Sequence, residues 1–477
     1  MLLLLGCASD PVPLDPLEGA DSVVERPEVG EFLFAHPAFR SATLGTVTSH
    51  TASFVVDGWA GLTVTATCGD GEETHSRTVT AEVGIPVTLY GLLSDHDYHC
   101  GVATIAQTAE ADIRTSPEEH PLPDFEVTGD GAAIDHGYIL FNVFVDGIDA
   151  NEQRAVIVDE EGRIRWEYWL GGSYTGDVDT SWPGDGTVLI GGGYGLRPID
   201  VDLDGNILWQ APVAPTDHNY HHHARRQEDG TVLTMTLHDE SYEGTDYDGH
   251  WIGAWDEAGD LVWDWSTEEA IDQGFLVPDT DLDDPFHMNS VVPVDFTGCD
   301  MLTSMRNADA LMCFDHTTGQ VAWNLQTDFT LVDDEGNAIA DDWPDGQHDP
   351  KVEGNRLLVF DNARDITVTV RTRVVEYELD PEARTARLLW SYYEHNWDEG
   401  VWGGVERLGD DRVLIAFPHC MDCSSDDTDD IMSALIALDA NHEPAWRLQF
   451  AEETVGLYRA SHIPACDIFG NQRYCTE

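Results

Sequence analysis

Histidine, arginine and asparagine recur through the middle of this chain in a pattern suited to chemistry on an anion. Phe286-His287-Met288-Asn289-Ser290 is followed by Ser304-Met305-Arg306, then by Gln347-His348-Asp349-Pro350 and Val359-Phe360-Asp361-Asn362. Upstream, His221-His222-His223 stands before a turn at Asp229-Gly230. Neutral imidazole is nucleophilic near pH 7 and also carries protons to and from oxygen. Arginine offers a permanently charged planar fork to anionic oxygens, and asparagine a neutral donor beside it. His348, His287, His222, His221 and Arg306 are therefore the candidate catalytic residues, with Asn289 and Arg459 as candidate substrate-binding residues. Each has a structural alternative. His348 serves equally as a hydrogen-bonding residue between neighbouring elements, the histidine run as an adventitious metal binder, and Arg459 as a salt bridge that closes the fold.

These segments are too far apart in sequence to be local neighbours, and an internal repeat supplies the means to bring them together. Asp159-Glu160-Glu161-Gly162-Arg163-Ile164-Arg165-Trp166 recurs at Asp202–Trp209, Asp256–Trp263 and Asp315–Trp323, with degenerate copies at Asp380–Trp390 and Asp439–Trp446. Each copy reads as a strand ending in Asp, a tight Gly turn, and a strand ending in Trp. A second hairpin signal lies between copies, at Asp185-Gly186, Asp229-Gly230, Gly354-Asn355 and Asp411-Arg412. Two hairpins per repeat and six repeats predict an all-β, six-bladed β-propeller over 124–477. In such a fold the first strand of each blade lines the centre. Those strands begin near Asp177–Trp182, His221–Arg225, Phe286–Ser290, Gln347–Pro350, Val401–Val405 and Tyr458–His462, so three successive blades present histidine there. Asp200-Val201-Asp202-Leu203-Asp204-Gly205 mimics the start of a calcium loop, but it lacks the later glutamate and coincides with a repeat turn.

Ahead of the repeats, strands alternating with turn residues over 31–116 predict a small β-sandwich domain. Thr88–Leu93 and Asp97–Cys100 are similar to the later strands of a fibronectin III-like domain. Ser116–Pro123 is a linker, and the Pro- and acid-rich stretch 8–30 reads as a tether. Met1–Cys7 ends in Leu4-Leu5-Gly6-Cys7, which is similar to the end of a bacterial lipoprotein signal. That predicts lipidation at Cys7 and export to the periplasm or outer membrane; an upstream start would account for the short apolar run. The other eight of the 9 cysteines fit an oxidising compartment, as the pairs Cys68/Cys100, Cys299/Cys313, Cys420/Cys423 and Cys466/Cys475. Cys420-Met421-Asp422-Cys423 is alternatively a redox or zinc motif. Lys+Arg of 23 against Asp+Glu of 90 gives a net charge of −67, a field that repels nucleic acid and anionic membrane alike. No apolar run approaches the roughly 20 residues of a spanning helix, so membrane contact is expected only through the lipid anchor. Whether the N-terminal domain mediates a homodimer stays open.

The order of the central elements resembles the bacterial arylsulfate sulfotransferases over 220–362, with a weaker continuation to Arg373 and Tyr458-Arg459-Ala460. The family's HINS-like element matches His287-Met288-Asn289-Ser290, its strand-borne arginine matches Arg306, and its QH element matches Gln347-His348. Its HHD element matches His221-His222, with His223 in place of the aspartate, which leaves open which histidine points inward. The resemblance implies an enzyme that moves a sulfuryl group from a phenolic sulfate ester to a phenolic acceptor, with no nucleotide, cofactor or metal. His348 would be transiently sulfated, and His222 or His287 would pass a proton to the leaving phenolate and take one from the acceptor. Arg306 and Asn289 would face the sulfuryl oxygens, and Trp182, Tyr220 and Trp402 the aryl ring. Two rivals belong to other classes. One is a metal-dependent lyase or oxidoreductase on His222, His287 and His348; the other is a non-catalytic envelope propeller that binds glycan or protein.

Overall fold

The computed structural model describes residues 42–145, 153–170, 178–193, 196–214, 218–279, 281–340, 342–363, 372–394, 401–418, 433–451 and 455–471, without the side chains of 144 and 145. Cys7, the tether, Cys420, Cys423 and Cys475 lie outside these residues. The chain is all-β. Its N-terminal part forms two antiparallel sheets. One joins Thr43–Val47, Ala52–Val55 and Val87–Leu89; the other joins Thr74–Thr80, Thr63–Gly69, Asp97–Ala103 and Thr108–Arg114. The last of these strands carries no expectation from sequence. Cys68 and Cys100 are register partners in the second sheet and are disulfide-bonded.

Six sheets of four or five strands follow in chain order, antiparallel except where Thr330–Leu331 pairs in parallel with Thr385–Tyr393 in the fifth, and the repeat maps onto them one for one. Trp166, Trp209, Trp263, Trp323, Trp390 and Trp446 each sit in the strand that follows the Asp turn of their sheet. The turns show why Asp opens each copy. Asp159 Oδ1 accepts from the backbone N–H of Glu161 and Arg163, Asp256 Oδ1 from Ala258 and Asp260, and Asp439 Oδ1 from Asn441 and Glu443. The glycine that follows takes the left-handed backbone the turn needs, as at Gly162 (φ +78°) and Gly259 (φ +81°). A register shift precedes the Trp strand in every sheet, from Ile157/Val158 to Ala437/Leu438.

Chain ends complete the first and last sheets. Phe125–Gly129 adds to Pro444–Phe450 of the sixth sheet, and Ala460–Ile463 adds to Tyr138–Val145 of the first. One edge strand from each sheet packs on the next: Thr180–Ser181, His218–Arg226, Met288–Phe296, His348–Glu353, Gly404–Gly409 and Ala460–Ile463, the last returning to the first. Apolar side chains fill the spaces between successive sheets, for example Met235, Met288 and Met312 between the third and fourth. Phe141, Leu414 and Leu448 do the same between the sixth and the first. The N-terminal domain is joined to the first sheet through buried ions. Arg165 bonds Glu73 Oε1 (2.7 Å), the Gly91 carbonyl (2.9 Å) and Asp159 (2.8 Å).

Candidate active site

His221, His222, Asn289 and His348 lie on edge strands, His287 and Arg459 stand just before two of them, and Arg306 follows the second strand of the fourth sheet. Three edge strands are kinked at or beside the predicted residues. Ladder register slips between Tyr220 and Ala224, between Met288 and Ser290, and between His348 and Lys351. His222 (φ +53°), His287 (φ +48°), Asp349 (φ +49°) and Trp402 (φ +65°) all adopt the left-handed backbone that non-glycine residues avoid. Such conformations cost about 1–3 kcal/mol each and persist where surrounding contacts enforce them, which happens most often at functional sites.

The kinks bring histidines from different sheets together. His222 Nε2 lies 3.2 Å from His287 Nε2, and its ring stacks on Tyr458 with centroids 5.5 Å apart. Tyr458 meets His348 edge-on at 6.3 Å. His221 turns the other way, its Nε2 standing 3.2 Å from His250 Nδ1. Of the HHH run, His222 is the residue beside His287. His223 faces a third direction and bonds Asp179 Oδ2 (2.7 Å) and the Val291 carbonyl (3.0 Å). A carboxylate therefore remains beside the run, supplied by the second sheet.

His287 is held by Asp284. Its ring Nδ1 donates to Oδ2 (2.6 Å) and its backbone N–H to Oδ1 (2.7 Å), while His250 Nε2 lies 2.9 Å from Oδ1. Burial alone would raise Asp284, but the charges and hydrogen bonds of His250 and His287 outweigh it and hold the carboxyl well below its ordinary range. His287 Nδ1–H thus points at the carboxylate, and its Nε2 is turned to His222.

His348 is buried, with Nδ1 2.7 Å from Asn362 Oδ1. Asn362 donates its own amide N–H to the Trp402 carbonyl (2.9 Å), which fixes its oxygen toward the histidine. Nδ1 therefore carries the proton, and Nε2 keeps a lone pair with no partner among the described residues. Burial first, and then the positive charge of Arg306, holds His348 well below the usual imidazole range, so it is neutral at pH 7. Burial does the same to His221 and His222. Arg306 ends the strand Cys299–Met305, and its backbone N–H donates to the His287 carbonyl (3.1 Å).

The remaining predicted residues are tied into the frame. Asn289 donates to the Gln347 carbonyl (2.8 Å), and Gln347 donates to the carbonyls of Met305 (3.2 Å) and Ala310 (3.1 Å). This clamps the His348 strand to the fourth sheet. Arg459 is buried and donates to Asp179 Oδ2 (3.0 Å), the Asn289 carbonyl (2.9 Å) and Tyr458 Oη (3.1 Å). Trp182 lies away from His222, His287 and His348, in a cavity with His223, Arg225 and Lys351, and Tyr220 bonds the Pro212 carbonyl (3.1 Å). Among the described residues no group of three or more His, Cys, Asp or Glu is arranged to hold a metal ion.

The family model for arylsulfotransferase (ASST) matches residues 141–459. The chain belongs to the arylsulfotransferase family. Membership implies aryl sulfotransferase activity in general, with an aryl sulfate donor and a phenolic acceptor. No curated protein matches this arylsulfotransferase. Among solved structures it is similar to TolB from Acinetobacter baumannii, at 10% identity and a TM-score of 0.38, over 77% of this chain and 79% of that one. It is similar also to Saccharomyces cerevisiae Sqt1, at 8% identity and a TM-score of 0.31, over 91% and 99%. Likenesses this distant carry no inference here. Asp284, His250, Tyr458 and Asn362 join this cluster without having been given a role from sequence, although Tyr458 and Asn362 fall in quoted segments. Asn362 lies in the quoted Val359–Asn362 segment and Asp284 three residues before His287, whereas His250 sits on the third strand of its sheet with no flanking signal.

Proposed function

We propose that the chain transfers a sulfuryl group between phenols by a ping-pong mechanism through sulfated His348. The observation that supports this most directly is the Trp402–Asn362–His348 chain of hydrogen bonds, which leaves a neutral imidazole with an unprotonated Nε2. In the first half-reaction Nε2 attacks sulfur, an N–S bond forms and the S–O bond to the aryl group breaks. The departing phenolate takes a proton from the His222–His287 pair, whose positive charge is matched by Asp284. Acceptor phenol then returns a proton to that pair as its oxygen attacks sulfur and frees His348. Arg306 neutralises charge on the sulfuryl oxygens in both transition states.

The scaffold we infer is a six-bladed β-propeller, supported by the ring of packed edge strands and by the cores shared between neighbouring sheets. The N-terminal domain is read as fibronectin III-like. Tyr98, two residues before Cys100, accepts at its hydroxyl from Leu93 N–H (2.9 Å), the corner typical of such sandwiches. Export is the compartment most compatible with disulfides at Cys68–Cys100 and Cys299–Cys313 and with the bonded state of Cys466. Among the described residues no helix is long and apolar enough to cross a membrane. Lipidation at Cys7 rests on sequence alone.

Intact-protein mass spectrometry after brief mixing with nitrophenyl sulfate, without acceptor, tests the mechanism. A gain of about 80 Da, one SO₃ group, is expected in the native chain and not in His348→Asn. Rapid phenol release that persists in His348→Asn, with no adduct in either protein, would sink the covalent histidine.

A further inference from the structure

Further along the same edge strands, past the layer formed by Asp179, His223 and Arg459, lies a cavity of about 230 Å³ that His222, His287 and His348 do not line. Four cations line it: Arg225, Arg226, Arg459 and Lys351. Only three carboxylates oppose them, Asp179, Asp349 and Glu406. In a chain with a net charge of −67, a cavity lined by four cations stands out.

The hydrogen-bond inventory leans the same way. Trp182 Nε1, Arg226 Nε and Arg459 Nε are buried N–H donors without an acceptor. Arg459 is 2% exposed, so water does not reach its side chain from outside. The Arg225 side chain lines the cavity and makes no hydrogen bond or ion pair with the described residues, while its backbone pairs with Leu233 in the ladder. Against the three unmet N–H donors stands one lining carboxylate oxygen, Asp349 Oδ1, that is likewise buried without a hydrogen-bond partner, and cations face it. Asp179 binds His223 and Arg459, and Asp349 Oδ1 faces Lys351 Nζ at 3.0 Å and Arg459 Nε at 3.7 Å. Glu406 lies 3.5 Å from the same lysine, and Arg226 bonds Asp200 from outside the cavity.

We propose that this cavity is an anion site, separate from the histidine cluster, that binds one small tetrahedral oxyanion such as sulfate or phosphate. Unmet donors outnumber unmet acceptors, and planar guanidinium groups from two strands suit bidentate contacts to such an oxyanion. Water occupies about 30 Å³ per molecule, so the cavity holds an oxyanion together with its remaining hydration. Arg225, half-buried and unpaired, is positioned as the entry contact.

The test is calorimetric titration of the full chain with sodium sulfate and with sodium phosphate, against sodium chloride at matched ionic strength. Wild type, Arg225→Gln, Trp182→Phe and Arg306→Gln would be compared. Arg306→Gln weakens oxyanion binding at the histidine cluster and so isolates the second site. The expected result is oxyanion binding that persists in Arg306→Gln and weakens about tenfold or more in Arg225→Gln, with loss of one indole donor making Trp182→Phe intermediate. Aryl sulfate turnover in Arg225→Gln is expected to match wild type. Equal oxyanion binding in Arg225→Gln and wild type, or binding abolished by Arg306→Gln alone, would overturn the proposal. So would a wild-type chain that responds to sulfate no differently from chloride.

Discussion

Replacing Asp284 by Asn tests the proton-transfer half of the mechanism with little change in shape. The carboxylate receives His287 Nδ1–H at 2.6 Å and the His287 backbone N–H at 2.7 Å, and it faces His250 Nε2 at 2.9 Å. An amide keeps one acceptor but loses the charge that stabilises His287 when it holds the phenol's proton. Its NH₂ group also favours the opposite tautomer, with the proton on Nε2 facing His222. A charge-assisted hydrogen bond contributes about 1.5–3 kcal/mol, or roughly 10–150-fold in rate. Because the Asp284 side chain is 19% exposed, solvent screening places the loss toward the lower end, about tenfold to thirtyfold in kcat/KM. The assay is transfer from nitrophenyl sulfate to a phenol, with single-turnover mixing to separate sulfation of His348 from its discharge. A poorer leaving group needs the proton more, so the deficit is expected to widen as the pKa of the leaving phenol rises. Asp284→Asn with wild-type kcat/KM across a series of leaving groups would show that the carboxylate only anchors His250, and the acid–base assignment of His287 would fall.

Further expectations follow from burial and charge. His221, His222 and His348 are held neutral by burial, so below about pH 6.5 the unfolded chain binds protons that the folded chain refuses. Stability is full above that pH and is lost as pH falls, by at most about 1.4 kcal/mol per unit for each histidine; a melting temperature unchanged between pH 7.5 and 5.5 would contradict it. Asp179→Asn leaves Arg459 and His223 buried without their carboxylate, which should cost about 3–5 kcal/mol by denaturant titration; a loss under 1 kcal/mol would mean that the layer is not an ionic one. The Cys299–Cys313 bridge closes a short loop within the fourth sheet, with a sequence separation of 14. The double Ser variant should lose about 3 kcal/mol, and an unchanged urea midpoint would refute that.

The repeat was legible because each copy satisfies its own turn locally. Asp at the head of the turn and Gly inside it are demanded by backbone hydrogen bonding and by φ, whatever surrounds them. Strands of the N-terminal domain were legible for similar reasons, whereas Thr108–Arg114 carries too many polar residues for its alternation to show. The histidine run was not legible to the same depth. In a regular strand His221 and His223 would share one face and His222 the other. The left-handed backbone at His222 and the slipped register around it break that alternation, so the three rings go to three different partners. No period-2 reading of His-His-His anticipates this.

Asp284 and His250 were hidden for another reason. Their value lies in tertiary contact, since neither type nor spacing sets an aspartate apart in a chain with 90 acidic residues. This abundance gives the central arrangement its logic. A histidine nucleophile facing an anionic ester gains from nearby positive charge, yet most positions in this chain are negative or neutral. Here the acids nearest the site are each matched by cations or by hydrogen-bond donors, Asp284 by His250 and His287, Asp179 by His223 and Arg459. Beyond its burial, His348 is held low by the charges of Arg306, Arg459 and His287, against the opposing hydrogen bond to Asn362. Acidity can therefore accumulate over the surface without reaching the nucleophile, provided these pairs stay closed. Because Asp179, His223 and Arg459 are buried, added salt cannot stand in for a lost partner there, so the harm to sulfation of His348 from breaking that pair should persist at high salt.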